Sequence, residues 1–465
     1  MKISYTYILF SLFLAFLPGC ELIHDDLPET RAEGEPVYIR LQISTGGEMS
    51  ATRTNPTGGE DGDGREPGTD AENDVENVTL FLFDAGVDID GEGTTPLIPL
   101  SFSESDLLDS GANPNEIEQI YTIEKEVRGL DEDSYHILAI ANMSFAENEM
   151  PKTLGDLRDK IITSASALWT GTDSPTNFVM SSEELATITG IKASTEQYPA
   201  EVDITIERLA AKVDYKVKES SFTPTDKTGT VKILGATLVN DFKKGEYLFK
   251  RVGSSVDASS FTYLGDENPT PSGDATNWVI DAYATSDKQA ADYNDYYSSF
   301  DVASVPTHSA NTEWTMLGYT MENTNDVSGD DLEKYATGVV FKAQYTPSSM
   351  QEGADFYYLN GKFYASIEAI KSDETVQGMD GLTKENYETY GIDFYDDGIC
   401  YYTWWIRHSN NADNDIMRYG IVRNNWYRLT VNSIKGLPSG GDDIVIIVAV
   451  EPWQPLDSED LTLRK

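Results

Sequence analysis

Four histidines are scattered along the chain, His24, His136, His308 and His408, and none stands in an H-E-x-x-H run or beside a cysteine. Zinc needs three or four converging nitrogen or sulfur ligands, so this spacing argues against a metal centre. Two acidic runs come nearer to calcium chemistry. In "DIDGEG", Asp88 to Gly93, oxygens alternate and a glycine takes the sixth place of a calcium loop, but Pro99 stands where the bidentate glutamate belongs. "DGDGRE" from Asp61 puts Arg65 at a ligand position. There is no serine-elbow motif, P-loop or dinucleotide fingerprint. With 79 Asp and Glu, no carboxylate pair is singled out for glycoside hydrolysis. The aromatics of "YYTWWIRH" could stack on a sugar through Trp404 and Trp405, but successive aromatics on a strand more often fill a core and pair across it. We expect no enzyme, no cofactor and no metal.

The chemistry that remains is covalent processing of the chain itself. Lys2 precedes an apolar run from Tyr7 to Leu17, too short for a permanent membrane span and suited to a signal peptide. It ends in "LPGC", where Leu17, Gly19 and Cys20 resemble the lipobox of bacterial lipoproteins. That resemblance implies removal of residues 1–19 and acylation of Cys20, with Pro18 unusual at its place. The acidic "ELIHDD" that follows resembles an export signal to the outer face of the outer membrane. Cys400 is the one other cysteine, so a lipidated Cys20 leaves no internal disulfide.

These residues must be carried by a folded body. A chain of 465 residues exceeds one ordinary core and suits two domains. The net charge of −45 argues against nucleic acid as a partner, because phosphate binding needs clustered cations. Aromatic residues make up 11% of the chain, which argues against disorder and for β-rich packing. Strand-like runs dominate: Val78 to Phe83, His136 to Ala141, Val202 to Ile206, Val213 to Val217, Val231 to Val239 and Tyr247 to Lys250. One short helix is expected over Leu154 to Ile162, with Thr153 as cap, Asp156 completing a capping box, and Gly155 weakening it. Asn360-Gly361 reads as a hairpin turn. "YYTWWIRHSN", "RNNWYRLTVNSIKG" and "IVIIVAVEPW" supply three late strands. Strands divided by turns rather than helices point to sandwiches with Greek-key connections.

The strand "VYIRLQIS" opens the folded part: Val37, Ile39, Leu41 and Ile43 alternate with polar neighbours, as in a half-buried strand. Ser44 to Asp74 then runs rich in Gly and acid, which predicts a mobile surface loop. Between Cys20 and Lys125 the Arg and Lys residues are Arg31, Arg40, Arg53 and Arg65 alone, and a cut at Arg53 or Arg65 would release the strand whole.

"YYTWWIRHSNN", "RYGIVRNNWYRLTVNSIKGL" and "VAVEPWQ", supported by "ENVTLFLFD", "HILAIANMS", "ITIERLAAKV", "GYTMEN" and "GVVFKAQY", resemble the fimbrillins, major fimbrial subunits of Bacteroidales type V pili. The resemblance implies a mainly β fold of two transthyretin-like β-sandwich domains in tandem. It also implies residues 20–53 as a propeptide bearing a removable first strand, 54–209 as the N-terminal domain and 210–465 as the C-terminal domain. It further implies export as an outer-membrane lipoprotein and cleavage by a surface Arg-specific protease, with Arg53 in "ATRT" resembling the family's processing position. The C-terminal strand of a neighbouring subunit then fills the vacated groove. Such a chain assembles with other fimbrial subunits, as a homopolymer with accessory tip and anchor subunits, and supports adhesion. The donated strand is expected within Pro455 to Lys465, anchored by Leu456, Leu461 and Leu463; its acidity is unusual for a donor. The alternatives are a tip or anchor subunit, or a monomeric lipoprotein binding glycan or a host ligand.

Overall fold

The structure is a computed structural model, and it describes residues 35–45, 68–87, 93–109, 120–158, 160–162, 165–171, 174–183, 185–226, 228–241, 246–249, 305, 312–322, 336–407, 419–438 and 444–452. Over 444–452 and at a few strand ends it describes the backbone alone. The protein is mainly β. Its strands are β1 (Val37–Ser44), β2 (Asn77–Asp84), β3 (Ile98–Ser103), β4 (Leu108–Asp109), β5 (Ile120–Val127), β6 (Ser134–Ala141), β7 (Ile161–Ile162), β8 (Met180–Ser182), β9 (Ala186–Thr189), β10 (Ala200–Arg208) and β11 (Ala211–Val217). They continue as β12 (Gly229–Val239), β13 (Glu246–Tyr247), β14 (Thr315–Thr320), β15 (Gly338–Pro347), β16 (Phe356–Leu359), β17 (Lys362–Tyr364), β18 (Asp393–Tyr395), β19 (Ile399–Trp405), β20 (Asn425–Ile434) and β21 (Ile444–Pro452). Three short α-helices are described: α1 (Asp70–Asn73), α2 (Leu154–Arg158) and α3 (Ile367–Lys371).

Strands up to Arg208, β7 excepted, form one sheet in the order β3-β2-β6-β8-β10-β1-β5-β4, with β9 also on β6. Residues 200–205 of β10 lie along β1 and residues 206–208 along β8. Alternate side chains from the β1 end and from β2 and β6 meet in a single buried cluster, so the sheet folds over on itself. The other face of β2 and β6, through Phe81, Phe83, Leu138 and Ile140, packs on Leu154 and Leu157 of α2. Burial on both faces explains why "NVTLFLFD" reads as a continuous apolar run rather than an alternation.

After residue 210, two sheets, β14-β11-β20-β21 and β12-β15-β19, face each other across a second cluster that includes Val213, Tyr215, Phe341, Tyr402 and Leu429. β15 and β19 are antiparallel neighbours, yet residues 348–398 leave between them to form a lobe of β16, β17, β18 and α3 with its own apolar cluster. The Asn360-Gly361 turn joins β16 to β17 with φ of 48° and 82°, as the sequence predicts.

α2 has the expected cap. Asp156 N–H donates to Thr153 Oγ1 at 3.1 Å, and Thr153 N–H donates to Asp156 Oδ2 at 3.1 Å. Gly155 is required rather than tolerated: a Cβ there would lie 2.7 Å from the Gly93 carbonyl oxygen. The helix stops at Arg158, short of the expected Ile162, because Ile161 and Ile162 pair as β7 with Tyr247 and Glu246 of β13. The expected strand over Tyr247 to Lys250 is likewise only Glu246–Tyr247, after which Leu248 and Phe249 turn into the apolar cluster around α2.

Candidate assembly site

β1 is an interior strand. It pairs antiparallel with β5 from Val37↔Val127 to Ser44↔Ile120, and parallel with β10 from Ile39↔Ala200 to Ser44↔Thr205. Its backbone therefore satisfies two neighbours at once. Val37 and Ile39 are 2% exposed and Leu41 and Ile43 are fully buried, so the alternation read from the sequence is the alternation the core uses. Four such side chains leaving water favour the strand's place by about 6–12 kcal/mol before ordering costs, at ~1.5–3 kcal/mol each. Without β1, β5 and β10 would present unpaired edges beside a row of apolar pockets.

The outward face of β1 is polar. Arg40 Nε donates to Glu124 Oε1 of β5 at 2.6 Å, and its Nη1 donates to Glu201 Oε1 of β10. Tyr38 lies across from Glu126, and Gln42 across from Asp203. The backbone N–H of Tyr38 donates to Ser194 Oγ at 3.0 Å. Arg40 is thus held in a strand laddered on both sides, with no extended free backbone for a protease to grip.

The chain from residue 68 onward is anchored in a different manner. Thr69 and Glu72 close a capping box around α1: Glu72 N–H donates to Thr69 Oγ1 at 3.3 Å, and Thr69 N–H donates to Glu72 Oε2 at 2.7 Å. The same Glu72 carboxylate takes Lys212 Nζ of β11 at 2.9 Å and the Tyr319 hydroxyl of β14. Burial would raise this carboxyl, but the Lys212 charge, with the Tyr319 and Thr69 hydrogen bonds, outweighs burial and holds it below the ordinary range. Arg208, at the end of β10, donates to the Glu72 carbonyl at 2.8 Å, to Asn424 Oδ1 at 3.0 Å and to Asn73 Oδ1. Gly68 makes room for this contact, since a Cβ there would lie 2.5 Å from Asn73 Oδ1. Alongside, Arg423 meets Glu322 at 2.9 Å with both side chains buried, and donates to the Leu248 carbonyl at 3.0 Å. These polar groups tie the start of the first sheet's chain to the second pair of sheets. Arg208 stands in "ITIERLAAKV" with Glu207 and Lys212, and Arg423 in "IVRNNWYRL" with Arg428, so no single residue of either run marks the network in the sequence.

The other sequence-predicted positions fall in two groups. Cys20, Arg31, Arg53, Arg65, the acidic run from Asp61, residues 88–92 of the run from Asp88, and Leu456, Leu461 and Leu463 lie outside the described residues. Trp404 and Trp405 are described, and they do not form one exposed face. Trp404 sits in the second core, while Trp405, on the opposite side of β19, is half-buried against Val239, Val305 and Val340. Adjacent strand residues point to opposite sides, so the pair cannot stack on one sugar. Cys400 is buried beside them, which pushes its thiol up to about 12 and leaves it unreactive at neutral pH. Among the described residues, Asp355, Asp396 and Asp397 place carboxylate oxygens within 4.8 Å of one another at the surface. Asp355 and Asp397 raise the Asp396 carboxyl, and an exposed acidic group of this kind is ordinary on a chain of charge −45.

Two family models match the sequence. One, described as major fimbrial subunit protein FimA, covers residues 48–238, and the other, described as major fimbrial subunit protein type IV, fimbrillin, C-terminal, covers residues 393–461. No curated protein matches the chain. Among solved structures, a protein described as a cell adhesion protein from Bacteroides eggerthii is 16% identical over 92% of this chain and 99% of its own, with a TM-score of 0.43. A fimbrilin from Porphyromonas gingivalis is 12% identical over 90% of this chain and 98% of its own, with a TM-score of 0.41. The tip fimbrial protein Mfa3 of the same organism, with a C-terminal truncation, is 12% identical over 90% of this chain and 100% of its own, with a TM-score of 0.38.

Proposed function

The chain belongs to the fimbrillin family of major fimbrial subunits, and from that premise we propose that it is a structural pilin, made as a lipoprotein precursor and polymerised by strand exchange. In this scheme residues 1–19 are removed, Cys20 carries the lipid to the outer membrane, and a surface Arg-specific protease cuts after Arg53, with Arg65 as the other site. Release of residues 20–53 takes β1 away from two tandem β-sandwich domains, 54–209 and 210–465. A strand from a neighbouring fimbrial subunit then enters between β5 and β10, and the segment Pro455 to Lys465 is in turn given to another subunit.

The observation that carries this reading is the position of β1. A strand laddered on both sides, with four buried apolar anchors, is joined to the rest of the chain through a Gly- and acid-rich stretch holding Arg53 and Arg65. An interior strand whose only covalent tether is so cleavable can be exchanged for another of the same pattern. The acids of the C-terminal segment favour, as a second reading, a tip or anchor subunit that does not donate.

N-terminal sequencing of the protein taken from cells tests the proposal. A start at Thr54 is expected, and a blocked, lipidated Cys20 on all copies would make the chain an anchor instead. Precursor treated with trypsin in the presence of the other fimbrial subunits should enter ladders that resist mild denaturation. Cleavage that leaves only stable monomers would overturn the polymer reading, and unimpaired assembly after deletion of Pro455 to Lys465 would remove the donor assignment.

A further inference from the structure

We infer that the slot occupied by β1 selects a strand from a different subunit, one with four alternate apolar residues and a single arginine or lysine at the centre of its outward face, and that it discriminates against this chain's own C-terminal segment. This deepens the strand-exchange proposal and rests on it. Two features of the slot define its occupant. Inward, four consecutive pockets now hold Val37, Ile39, Leu41 and Ile43, none more than 2% exposed. Outward, Glu124 of β5 and Glu201 of β10 flank one register position and converge on Arg40. Glu126 has Arg128 at 3.2 Å, whereas Glu124 and Glu201 meet their cation on β1. When β1 leaves, two carboxylates face an empty place between them, with Asp203 one step further along β10. A cation at that place is attracted from both sides, and an acid there is repelled from both.

The C-terminal segment "PLDSEDLTLRK" does not match that pattern. Side chains alternate along a strand, so in any strand built from this segment Leu461 and Leu463 would share a face with Asp457 and Glu459, and Leu456 would share the other with Asp460. No register places leucine in more than two of the four pockets. If residues 457, 459, 461 and 463 fill the four pockets, Asp457 and Glu459 enter a dry core, and Asp460 takes the place of Arg40 in either strand direction. The register that brings Arg464 to that place fills two pockets with leucine and turns Lys465 into a third. Burying an unpaired charge opposes binding strongly, and leaving pockets empty forfeits the apolar contribution. The two ends of this molecule therefore address different partners, and the fibre it joins is heterotypic at this subunit.

The test uses the full chain, cut in its 46–67 stretch by limited digestion with an Arg-specific protease, so that the first strand is held only by its ladder. Three peptides compete for the slot, scored by native mass spectrometry: the parent VYIRLQIS, the same peptide with the Arg40→Glu change, and PLDSEDLTLRK. The parent should displace the resident strand. The glutamate peptide should compete about tenfold less well at low salt, and this gap should close toward ~1 M salt because the interaction is screened there. The Glu124→Gln, Glu201→Gln double variant should lose the same gap. The C-terminal peptide should not displace the strand. Competition by the C-terminal peptide equal to that of the parent, or equal competition by arginine and glutamate peptides at low salt, overturns the selectivity while leaving strand exchange intact. Failure of the parent peptide to exchange at all overturns the removable-strand reading and the inference with it.

Discussion

The two sides of residues 46–67 are held by opposite physics. Before it, β1 is fixed by eight residues of backbone ladder and four apolar side chains, with its ion pairs at the surface. After it, α1 is fixed by charges and amides in the interior: Glu72 with Lys212 and Tyr319, Arg208 with Asn73 and Asn424. Apolar pockets and a ladder constrain a strand by its period alone, because neither is directional beyond the alternation of side chains, and further selection falls to the charges on the outward face. A buried network accepts only its own members, since each donor and acceptor left unmatched is costly. The part proposed to leave is thus held by period and by surface charge, and the part proposed to stay by a buried network that fits only its own members.

The comparison breaks most visibly at the buried pair. Glu322→Ala strips the partner from Arg423, which is fully buried, and should cost about 3–5 kcal/mol in chemical denaturation. The loss should be equal in precursor and in processed protein, because the pair belongs to the part that remains.

On the β1 side, Leu41→Ala should destabilise the precursor by about 2–5 kcal/mol, as truncation of a fully buried leucine leaves a cavity. Processed subunits in a fibre should then show no difference from the parent, because the altered strand has been discarded. Denaturation of both forms, read side by side, checks this. An equal loss in the fibre would mean that β1 stays in place and that the two regions do not differ as argued.

How far these regions could be read from the sequence follows from the same contrast. β1 was legible because its four apolar residues alternate with polar ones and one face meets water. β2 was legible as a strand, but its double burial showed only as a continuous apolar run, and what covers its second face, α2, lies over seventy residues away. The helix α2 announced its start through Thr153 and Asp156; its end was misjudged because β13, pairing from the other half of the chain, takes Ile161 and Ile162. α1 and the polar junction were not legible. Their residues come from five separated stretches, and a lone Glu72 or Lys212 looks like any surface charge on so acidic a chain. The small lobe between β15 and β19 was missed for a related reason: its hairpin was visible, while its separate core depends on contacts among residues up to thirty-five apart.

Acid should loosen the junction. The Glu72 carboxyl is held below its ordinary 4.5, so its contribution is present above that pH and is lost as the pH falls through the lower folded value. Between about pH 5 and pH 3 the parent should lose melting temperature more steeply than Glu72→Gln, which has no carboxylate to protonate there. Parallel slopes would mean that the Lys212 and Tyr319 contacts do not stabilise the ionised form.

The smallest effect is expected where Arg40 is removed rather than reversed. In the precursor, Arg40→Gln leaves Glu124 and Glu201 free to hydrate, since both are more than half exposed, and surface pairs of this kind add little to stability. The melting temperature of the variant should be indistinguishable from that of the parent at physiological salt. Arg40→Glu differs in kind, because it sets a third carboxylate between two others that lie directly opposite it on the neighbouring strands. Its melting temperature should fall at low salt and recover as salt is added. A fall for Arg40→Gln as large as that for Arg40→Glu would mean that the guanidinium packs the strand in place, and that the slot recognises shape at this position instead of charge.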